Sequence, residues 1–391
     1  MPSKLTVGIA QVHTQQTTAD TLDLLRKHTR SAAAKGISIL LFPEAFLGGY
    51  PRTCNFGAAI GARTDEGRNQ FVNYFKSCID LGDTARGEED AWLKRELDVN
   101  EETGRRGDGT RECLEDVARE TGVFLVVGMV EKAGGSLYCT AVYVDPAKGI
   151  VSKRRKVQPT GSERLVWAQG QPSSLKAVSA TIKGVKVVMG TAICWENYMP
   201  LLRYALYAQG VNLWLAPTAD PRATWEPLMK TIACEQRCWV LSANQCIKSR
   251  NLPAWITGKQ QASSEEAVLN GSSHGPSHGP TSHRRRSSVT TKTDENHEIA
   301  WRPKGEIKEE GEAVQSDGAS EFASSGGSCI VSPMGQTVTG PVWNKEEELL
   351  YANIDFDDCE RGRFDFDATG HYGRLDAFKL TVEGLDLTPP P

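Results

Sequence analysis

Short apolar runs alternate with amphipathic segments along most of the 391-residue chain. The apolar run Leu5–Val12 is followed by a segment from about Thr18 to Ala34 in which Leu22 and Leu25 fall on one helical face. Residues 37–42 are nearly all apolar, which is typical of a strand covered on both faces. This alternation predicts an α/β protein in which outer helices cover large sheets.

The same pattern continues toward the C-terminal end of the sequence. The further predicted elements are a strand at 123–128, a hairpin at 138–154, a strand at 185–193, a helix at 200–209, a strand at 211–216, a helix at 226–237, strands at 239–243 and 349–354, and a hairpin at 329–338. Three candidate functional residues follow predicted strands: Glu44, Lys156 and Cys194. Open α/β sheets place their ligand crevices at strand ends, so these residues are candidates for one common site.

The composition changes after about Trp255. From Gln261 to Ser325 the chain is rich in Ser, Gly, Pro and charged residues, and its apolar residues follow neither a helical nor a strand period. We interpret this stretch, 261–325, as a disordered low-complexity insertion. The ordered part then comprises 1–260 and 326–391, whose length fits a single domain, although 391 residues allow two or three at about 100–200 residues each.

The insertion contains most of the histidine and one basic motif. Four of the seven histidines lie in it, and we interpret them as part of a solvated tract and not as metal ligands. The sequence Arg284–Ser288 supports an alternative hypothesis, in which a binding or scaffold protein uses the insertion as a phosphorylation site or a basic docking patch. The simpler interpretation is a solvated charge run in a tolerated surface loop.

Charge and composition exclude some partners. Forty-five Lys and Arg residues against 49 Asp and Glu give a net charge of −4, which argues against nucleic acid as a main partner. The sequence begins without a secretory signal and has no apolar run of the roughly 20 residues that span a membrane, so we expect a cytoplasmic protein with no membrane partner. In a reducing compartment the ten cysteines are expected to be small buried hydrophobes. Their spacing includes no CxxC pair, so no zinc site is expected.

The residues around the three candidates form recognisable motifs. Glu44 lies in Leu-Phe-Pro-Glu-Ala-Phe-Leu-Gly-Gly-Tyr-Pro-Arg, Lys156 in Arg-Arg-Lys-Val-Gln-Pro-Thr, and Cys194 in Gly-Thr-Ala-Ile-Cys-Trp-Glu-Asn. In this order and spacing the motifs resemble the nitrilase superfamily of carbon–nitrogen hydrolases, and Cys-Trp-Glu-Asn resembles its true nitrilase branch. The C-terminal segments 326–333 and 367–376 are most similar to those of fungal nitrilases.

The resemblance implies a fold, an assembly and a reaction. The implied fold is a four-layer α-β-β-α sandwich that forms a homodimer or a larger homo-oligomer. The implied catalytic triad is Glu44, Lys156 and Cys194, with Glu163 as a second glutamate that orients the lysine and the substrate. The implied reaction hydrolyses a small-molecule nitrile to the carboxylic acid and ammonia, without a metal or an organic cofactor.

The residue types suit a cysteine hydrolase whose base is a glutamate. A free thiol with a pKa of about 8.5 is only slightly ionised at neutral pH, so it needs a base or a positive field. Outside the insertion, His13 and His28 have no evident link to the cysteine. We interpret His371 as a structural surface residue, with a place near the site or a neighbouring subunit as the alternative. We therefore expect burial to raise the pKa of Glu44 so that it acts as the base. We expect the Lys156 ammonium to lower the pKa of Cys194 and, with the backbone N–H of Trp195, to stabilise charge on the substrate.

The substrate is less defined than the reaction. Residues 50–58 and 195–199 are expected to line the pocket, because they adjoin Glu44 and Cys194 in the sequence. Trp195 favours a nitrilase, because the amidase branches of the family usually carry another residue after the nucleophile. Cyanide hydratases share much of the fungal nitrilase sequence, so cyanide hydratase or aliphatic amidase is the alternative activity.

Overall fold

The computed structural model describes residues 2–87, 89–257, 289–292, 298–301 and 321–391. The chain divides into two compact units, one formed by residues 1–260 with 321–391 and the other by residues 261–320. In the smaller unit the structure describes two short strands that pair with each other in antiparallel fashion. The rest of the predicted disordered insertion, apart from its last residues, lies outside the described residues.

The helices and strands of the described residues are numbered here in chain order. The helices are α1 (Thr18–Ala34), α2 (Asp65–Ser77), α3 (Glu89–Leu93), α4 (Thr110–Thr121), α5 (Pro200–Tyr207), α6 (Trp225–Gln236), α7 (Ala254–Thr257) and α8 (Asp357–Asp365). The strands are β1 (Lys4–Gln11), β2 (Ile39–Leu41), β3 (Ala58–Ala59), β4 (Ala62–Arg63), β5 (Phe124–Ala133), β6 (Ser136–Asp145), β7 (Gly149–Arg155), β8 (Val178–Ile182), β9 (Val185–Thr191), β10 (Leu213–Thr218), β11 (Trp239–Asn244), β12 (Cys246–Lys248), β13 (Val289–Lys292), β14 (Glu298–Trp301), β15 (Phe322–Val331), β16 (Thr337–Trp343) and β17 (Glu348–Asp355).

The first large sheet has six strands in the order β17-β1-β2-β5-β6-β7. Strands β1, β2 and β5 run parallel to one another, and β5, β6 and β7 are successive antiparallel neighbours. The C-terminal strand β17 pairs with β1 in antiparallel fashion from Lys4 to Gln11. Sequence from both ends of the chain therefore meets at one edge of this sheet.

The second large sheet has seven strands in the order β12-β15-β11-β10-β9-β8, with β16 paired to β15. Its central strands β9, β10 and β11 are parallel, and β15 joins β11 in antiparallel fashion. Strand β10 is buried along its whole length, as is expected of a parallel strand that is covered on both faces.

The two sheets pack face to face around one apolar cluster. Side chains from β1, β2 and β5 form this cluster with side chains from β9, β10 and β11. Helices α1 and α4 cover the outer face of the first sheet, and α5 and α6 cover the outer face of the second. This packing confirms the predicted four-layer α-β-β-α sandwich.

Most of the predicted elements are observed, and the misses have physical causes. Helix α1 has the predicted limits, whereas the apolar pattern gives no prediction for α2, α3 and α4. Helix α4 does have an apolar helical face, since Val117 and Ala118 follow Leu114 by three and four residues. Glycines in the left-handed conformation, Gly109 and Gly122, flank this helix at its two ends.

The predicted end of the insertion is wrong. The boundary at Ser325 falls inside β15, which begins at Phe322 and pairs with β12. The serines in this part of the strand have the composition of the insertion, so composition alone does not separate the two. As for membranes, no helix within the described ranges is both long enough and apolar enough to cross a bilayer.

A buried ionic network connects β5 to β7. The Glu131 carboxylate on β5 is fully buried and accepts hydrogen bonds from Lys153 Nζ at 2.7 Å and Arg155 Nη2 at 2.8 Å. Burial alone would raise the pKa of Glu131, but the two cations lower it to about 2. Both cations belong to β7, the strand that ends immediately before Lys156, so the network fixes the strand that leads to a candidate site residue.

Replacing Glu131 with Gln is expected to destabilise the protein by about 3 kcal/mol, because it removes a carboxylate that pairs with both Lys153 and Arg155. The two buried cations then share the negative charge of Asp83. The native pKa of Glu131 lies below its ordinary value of 4.5, so its stabilisation is complete above that pH and is lost as the pH falls toward 2. Denaturant unfolding of the wild type and of Glu131→Gln between about pH 5 and pH 2 measures this loss. Glu120→Gln, on an exposed ion pair, is the matched control and should cost less than about 1 kcal/mol. A stability difference between wild type and Glu131→Gln that does not change over this pH range would contradict the assignment.

Candidate active site

Glu44 lies in the turn that follows β2, and its side chain is fully buried. Its backbone carbonyl accepts a hydrogen bond of 2.8 Å from Gln245 Nε2, on the segment after β11. Gly128 on β5 allows the turn to approach the sheet, because a Cβ at this position would collide with the Pro43 carbonyl. The glutamate is therefore held by elements of both sheets.

Lys156 directly follows β7, and its ammonium joins two carboxylates. Its backbone N–H donates to the Cys139 carbonyl at 2.7 Å, which continues the pairing with β6. Its buried Nζ donates to Glu44 Oε1 at 2.8 Å and to Glu163 Oε2 at 2.8 Å. The structure thus brings together three of the residues that the sequence motifs select.

Glu163 lies on the 3₁₀ helix Gly161–Leu165. Its Oε2 also accepts from the Thr160 backbone N–H at 2.8 Å, and its Oε1 accepts from the Tyr50 hydroxyl at 3.0 Å. These bonds leave the second glutamate with no freedom to act as a mobile base. Its contacts suit the orienting role that the family resemblance implies.

Cys194 begins the 3₁₀ helix Cys194–Tyr198, just after β9. Its backbone has a positive φ of 52°, a conformation that is uncommon for residues other than glycine. Its Sγ accepts a hydrogen bond of 3.3 Å from the Thr218 hydroxyl. This Sγ and one carboxylate oxygen from each of Glu44 and Glu163 lie within 4.8 Å of one another. The sulfur therefore faces the carboxylate cluster.

Glu196 is a functional residue that the sequence reasoning missed. Its buried carboxylate accepts from the Ile193 N–H at 2.9 Å and from the Val157 N–H at 2.8 Å. The Arg154 guanidinium lies 2.7 Å from it and balances its charge. Because Ile193 precedes Cys194 and Val157 follows Lys156, Glu196 fixes the distance between the two turns. Its place in the Cys-Trp-Glu-Asn motif was the available signal.

Burial controls the ionisation of the site. Burial raises the pKa of Glu44 despite the nearby Lys156 ammonium, which is the direction that a general base requires. Burial alone would lower the pKa of Lys156, but Glu44 and the other acidic groups around it raise it well above its ordinary value. Lys156 is therefore a permanent cation.

Lys156 has the expected lowering effect on the pKa of the Cys194 thiol, but the net shift of this pKa is upward. Burial and the Glu44 charge raise the pKa of Cys194, and they outweigh the lowering effect of Lys156. The expectation from sequence counted the cation and not the desolvation of a fully enclosed thiol. The resting site therefore contains a neutral thiol, and a base must remove its proton during the reaction.

A small cavity of about 220 Å³ opens onto Cys194. This volume has room for several water molecules, which suits a small organic substrate. It is lined by Tyr50, Arg52, Thr160, Gly161, Ser162, Glu163, Cys194, Trp195, Ala219, Asp220, Pro221 and Arg222. Three residues of the predicted pocket walls line the cavity: Tyr50, Arg52 and Trp195. The loop 219–222 after β10 provides a further wall that the sequence did not predict.

The site contains groups that could bind a metal ion, and the described histidines lie near other residues. Glu44, Glu163 and Cys194 form a potential ligand group among the described residues, but the Lys156 ammonium bonds to both carboxylates and supplies the cation there. The ordered histidines have other neighbours: His13 and His28 lie near Glu346 and Glu347, and His371 packs on Tyr372. The absence of a metal cofactor stays a prediction.

Comparison with known proteins identifies the family. The family model of the carbon–nitrogen hydrolases matches residues 6–364. The chain is 37% identical to an arylacetonitrilase of Trametes versicolor (strain FP-101664), covering 93% of this chain and 91% of that protein. It is 36% identical to an aliphatic nitrilase of Sinorhizobium fredii (strain HH103), covering 94% and 91%, and 35% identical to nitrilase 3 of Arabidopsis thaliana, covering 93% and 82%.

Solved structures show the same fold at low sequence identity. Nit3 of Saccharomyces cerevisiae, a member of branch 10 of the nitrilase superfamily, superposes with a TM-score of 0.55 at 14% identity, covering 95% of this chain and 97% of that chain. An amidase from Nesterenkonia sp. gives 0.52 at 16% identity, covering 93% and 95%. The chain therefore belongs to the carbon–nitrogen hydrolase family, and the resemblance seen in its motifs is confirmed.

The ionisation of Cys194 is directly measurable. The ultraviolet thiolate absorbance of the wild type minus that of Cys194→Ala should show no thiolate up to about pH 9, because the thiol pKa is raised above its ordinary value. Glu44→Gln should lower the pKa of Cys194, since it removes an anion, and Lys156→Gln should raise it further, since it removes a cation. A Cys194 thiolate signal at neutral pH in the wild type would disprove this assignment.

Proposed function

We propose that this protein is a nitrilase that hydrolyses an organic nitrile to its carboxylic acid and ammonia through a covalent bond to Cys194. The observation that carries the proposal is the enclosed cluster in which Lys156 bonds to Glu44 and Glu163 beside the Cys194 thiol. Family membership and relatives named as nitrilases at 35–37% identity support the choice of nitriles as substrates.

The first step forms a thioimidate. Glu44 Oε2 is buried and has no hydrogen-bond partner among the described residues, so this oxygen is free to take the proton of Cys194. The sulfur attacks the nitrile carbon, and the carboxyl group returns the proton to the nitrile nitrogen. Lys156 stabilises the negative charge that develops on that nitrogen, and the Trp195 backbone N–H assists it.

The second half of the reaction determines the product. Glu44 removes a proton from water as the water oxygen adds to the thioimidate carbon, and the carboxyl group passes this proton to the nitrogen, which gives a tetrahedral intermediate with an amino group. If the carbon–nitrogen bond breaks, ammonia leaves and a second water hydrolyses the thioester to the acid, which frees the thiol. If the carbon–sulfur bond breaks first, the amide leaves and the thiol is restored. We assign the acid as the main product.

The alternative activities differ in their substrate or product. A cyanide hydratase would form formamide from cyanide, and an aliphatic amidase would act on an amide and not on a nitrile. Two related proteins of Lupinus angustifolius are named bifunctional nitrilase/nitrile hydratase, at 33% identity, so amide is measured together with acid in the assay below.

The setting of the enzyme is part of the proposal. Ten free cysteines among the described residues support a reducing compartment such as the cytoplasm. We extend the proposal to a homodimer or a larger homo-oligomer, as the family resemblance implies. We assign 1–260 and 321–391 to one catalytic domain, with 261–320 as an insertion that takes no part in the chemistry.

The triad is tested by substitution. Cys194→Ala should abolish turnover, and Glu44→Gln and Lys156→Ala should each reduce kcat by about 10²–10⁴-fold, the usual contribution of a general base or of charge stabilisation. Ammonia, acid and amide are quantified together over a panel of aromatic, arylacetic and aliphatic nitriles and cyanide. Cys234→Ala, on a half-buried helix cysteine, is the matched control and should retain activity. Substantial turnover by a folded triad variant would refute the mechanism.

The insertion is tested by deletion. The triad, Glu163 and the residues that line the cavity all lie in the larger unit of the chain. Replacing residues 262–319 with a Gly/Ser linker should therefore leave kcat/KM within about twofold of the wild type, because surface insertions are tolerated at small cost. Loss of turnover in a deletion variant with unchanged circular dichroism would show that the insertion contributes to function, as the scaffold hypothesis requires.

A further inference from the structure

The loop after β10 holds the residue next to the nucleophile. The indole Nε1 of Trp195 donates a hydrogen bond of 2.8 Å to Asp220 Oδ2. The Arg222 guanidinium lies over the indole ring, with its Cζ 4.5 Å from the ring centroid. Arg222 Nε is also 3.5 Å from Asp220 Oδ1. One side chain therefore fixes the edge of the indole and the other covers its face.

Asp220 is itself held from two sides. Its backbone N–H donates to the Thr218 hydroxyl at 3.1 Å, and that hydroxyl donates to Cys194 Sγ at 3.3 Å. Its carbonyl accepts from Asn244 Nδ2 at 2.8 Å. With 4% of its surface exposed, Asp220 has few alternative conformations. The carboxylate is thus a fixed acceptor for the Trp195 indole.

Trp195, Asp220 and Arg222 all line the cavity that opens onto Cys194. Trp195 follows the nucleophile directly, so a shift of its indole changes the space around the carbon that Cys194 attacks. A planar aromatic substituent gains from packing on a fixed aromatic wall, whereas a short alkyl group has little surface to place there. The position of the indole therefore bears on aromatic nitriles more than on small ones.

We propose that Asp220 is a positioning residue that fixes the Trp195 indole as one wall of the cavity and thereby sets the preference for aromatic over small aliphatic nitriles. This inference rests on the proposed nitrile hydrolysis. Asp220 touches neither the sulfur nor the reacting carbon, and it acts through Trp195. Loss of the carboxylate frees the indole and also removes the anion that holds Arg222 over it.

The test is a double-mutant cycle with two nitriles. The ratio of kcat/KM for phenylacetonitrile to kcat/KM for propionitrile should fall about tenfold in Asp220→Ala, the size expected for one hydrogen bond to a charged group. Trp195→Phe, which keeps a ring but lacks the N–H, should give a similar fall. The double variant should fall no further, because both changes remove the same contact. Asp220→Asn retains an oxygen acceptor and should recover most of the ratio.

Controls separate this role from general damage. Asp23→Ala removes an exposed carboxylate that also pairs with an arginine, and it should leave the ratio unchanged. If Asp220→Ala reduces turnover of both nitriles equally, or if the effects of the single variants multiply in the double variant, the positioning role is refuted. Because Asp220→Ala is a buried change, Asp220→Asn and Trp195→Phe provide the same comparison if it fails to fold.

A second readout does not depend on nitrile turnover. The rate of Cys194 alkylation by phenacyl bromide relative to iodoacetamide, followed by mass spectrometry, reports the same wall with an aromatic and a small electrophile. The cycle should show the same non-additive fall in this ratio. If the wild type turns over no nitrile while the variants show this fall in the alkylation ratio, the proposed function is refuted and the role of Asp220 is supported. Nitrile turnover with no fall in either ratio would do the reverse.

Discussion

The Lys156 ammonium is the charge around which the site is arranged. Removing an ammonium and two carboxylates from water costs several kcal/mol per ion, so the three groups are stable only when their charges and hydrogen bonds are satisfied together. Nζ meets this condition by donating to Glu44 and Glu163 at 2.8 Å each. Because Glu44 follows β2 whereas Lys156 and Glu163 follow β7, the strands of the first sheet from β2 to β7 have to pair before the three groups meet.

The framework brings the two halves of the chemistry together from opposite sheets. Glu44 and Lys156 follow strands of the first sheet, and Cys194 follows a strand of the second. Two buried polar side chains bridge these parts: Glu196 binds the backbone on either side, and Gln245 binds the Glu44 carbonyl. Apolar packing between the sheets is not directional, so these directional bonds define the separation of Glu44 and Cys194.

Strand ends and local motifs were enough to select Glu44, Lys156 and Cys194, which the structure brings together, because both are properties of contiguous sequence. The four-layer arrangement also followed from the motifs by resemblance. The wall at Asp220 was not predicted, because Asp220 reaches Trp195 only when β10 pairs with β9. The bridge at Glu196 was not predicted, because Arg154 and Val157 reach it only when the two sheets pack. The end of the insertion was misplaced because the serines of β15 have the composition of a loop while their backbone pairs with β12. Contacts of this kind need the fold.

A neutral thiol and a glutamate of raised pKa fit each other in an enclosed site. The same burial disfavours the charged form of both groups, so their pKa values move in the same direction and the proton can pass from Cys194 to Glu44. The transfer moves one negative charge from oxygen to sulfur and leaves the net charge of the cavity unchanged. Lys156 stays charged throughout, since anions surround it before and after the transfer. A histidine base would instead create a new cation beside this lysine, and the repulsion between them would oppose the step. In the proposed mechanism a glutamate base therefore suits the buried lysine better than a histidine base.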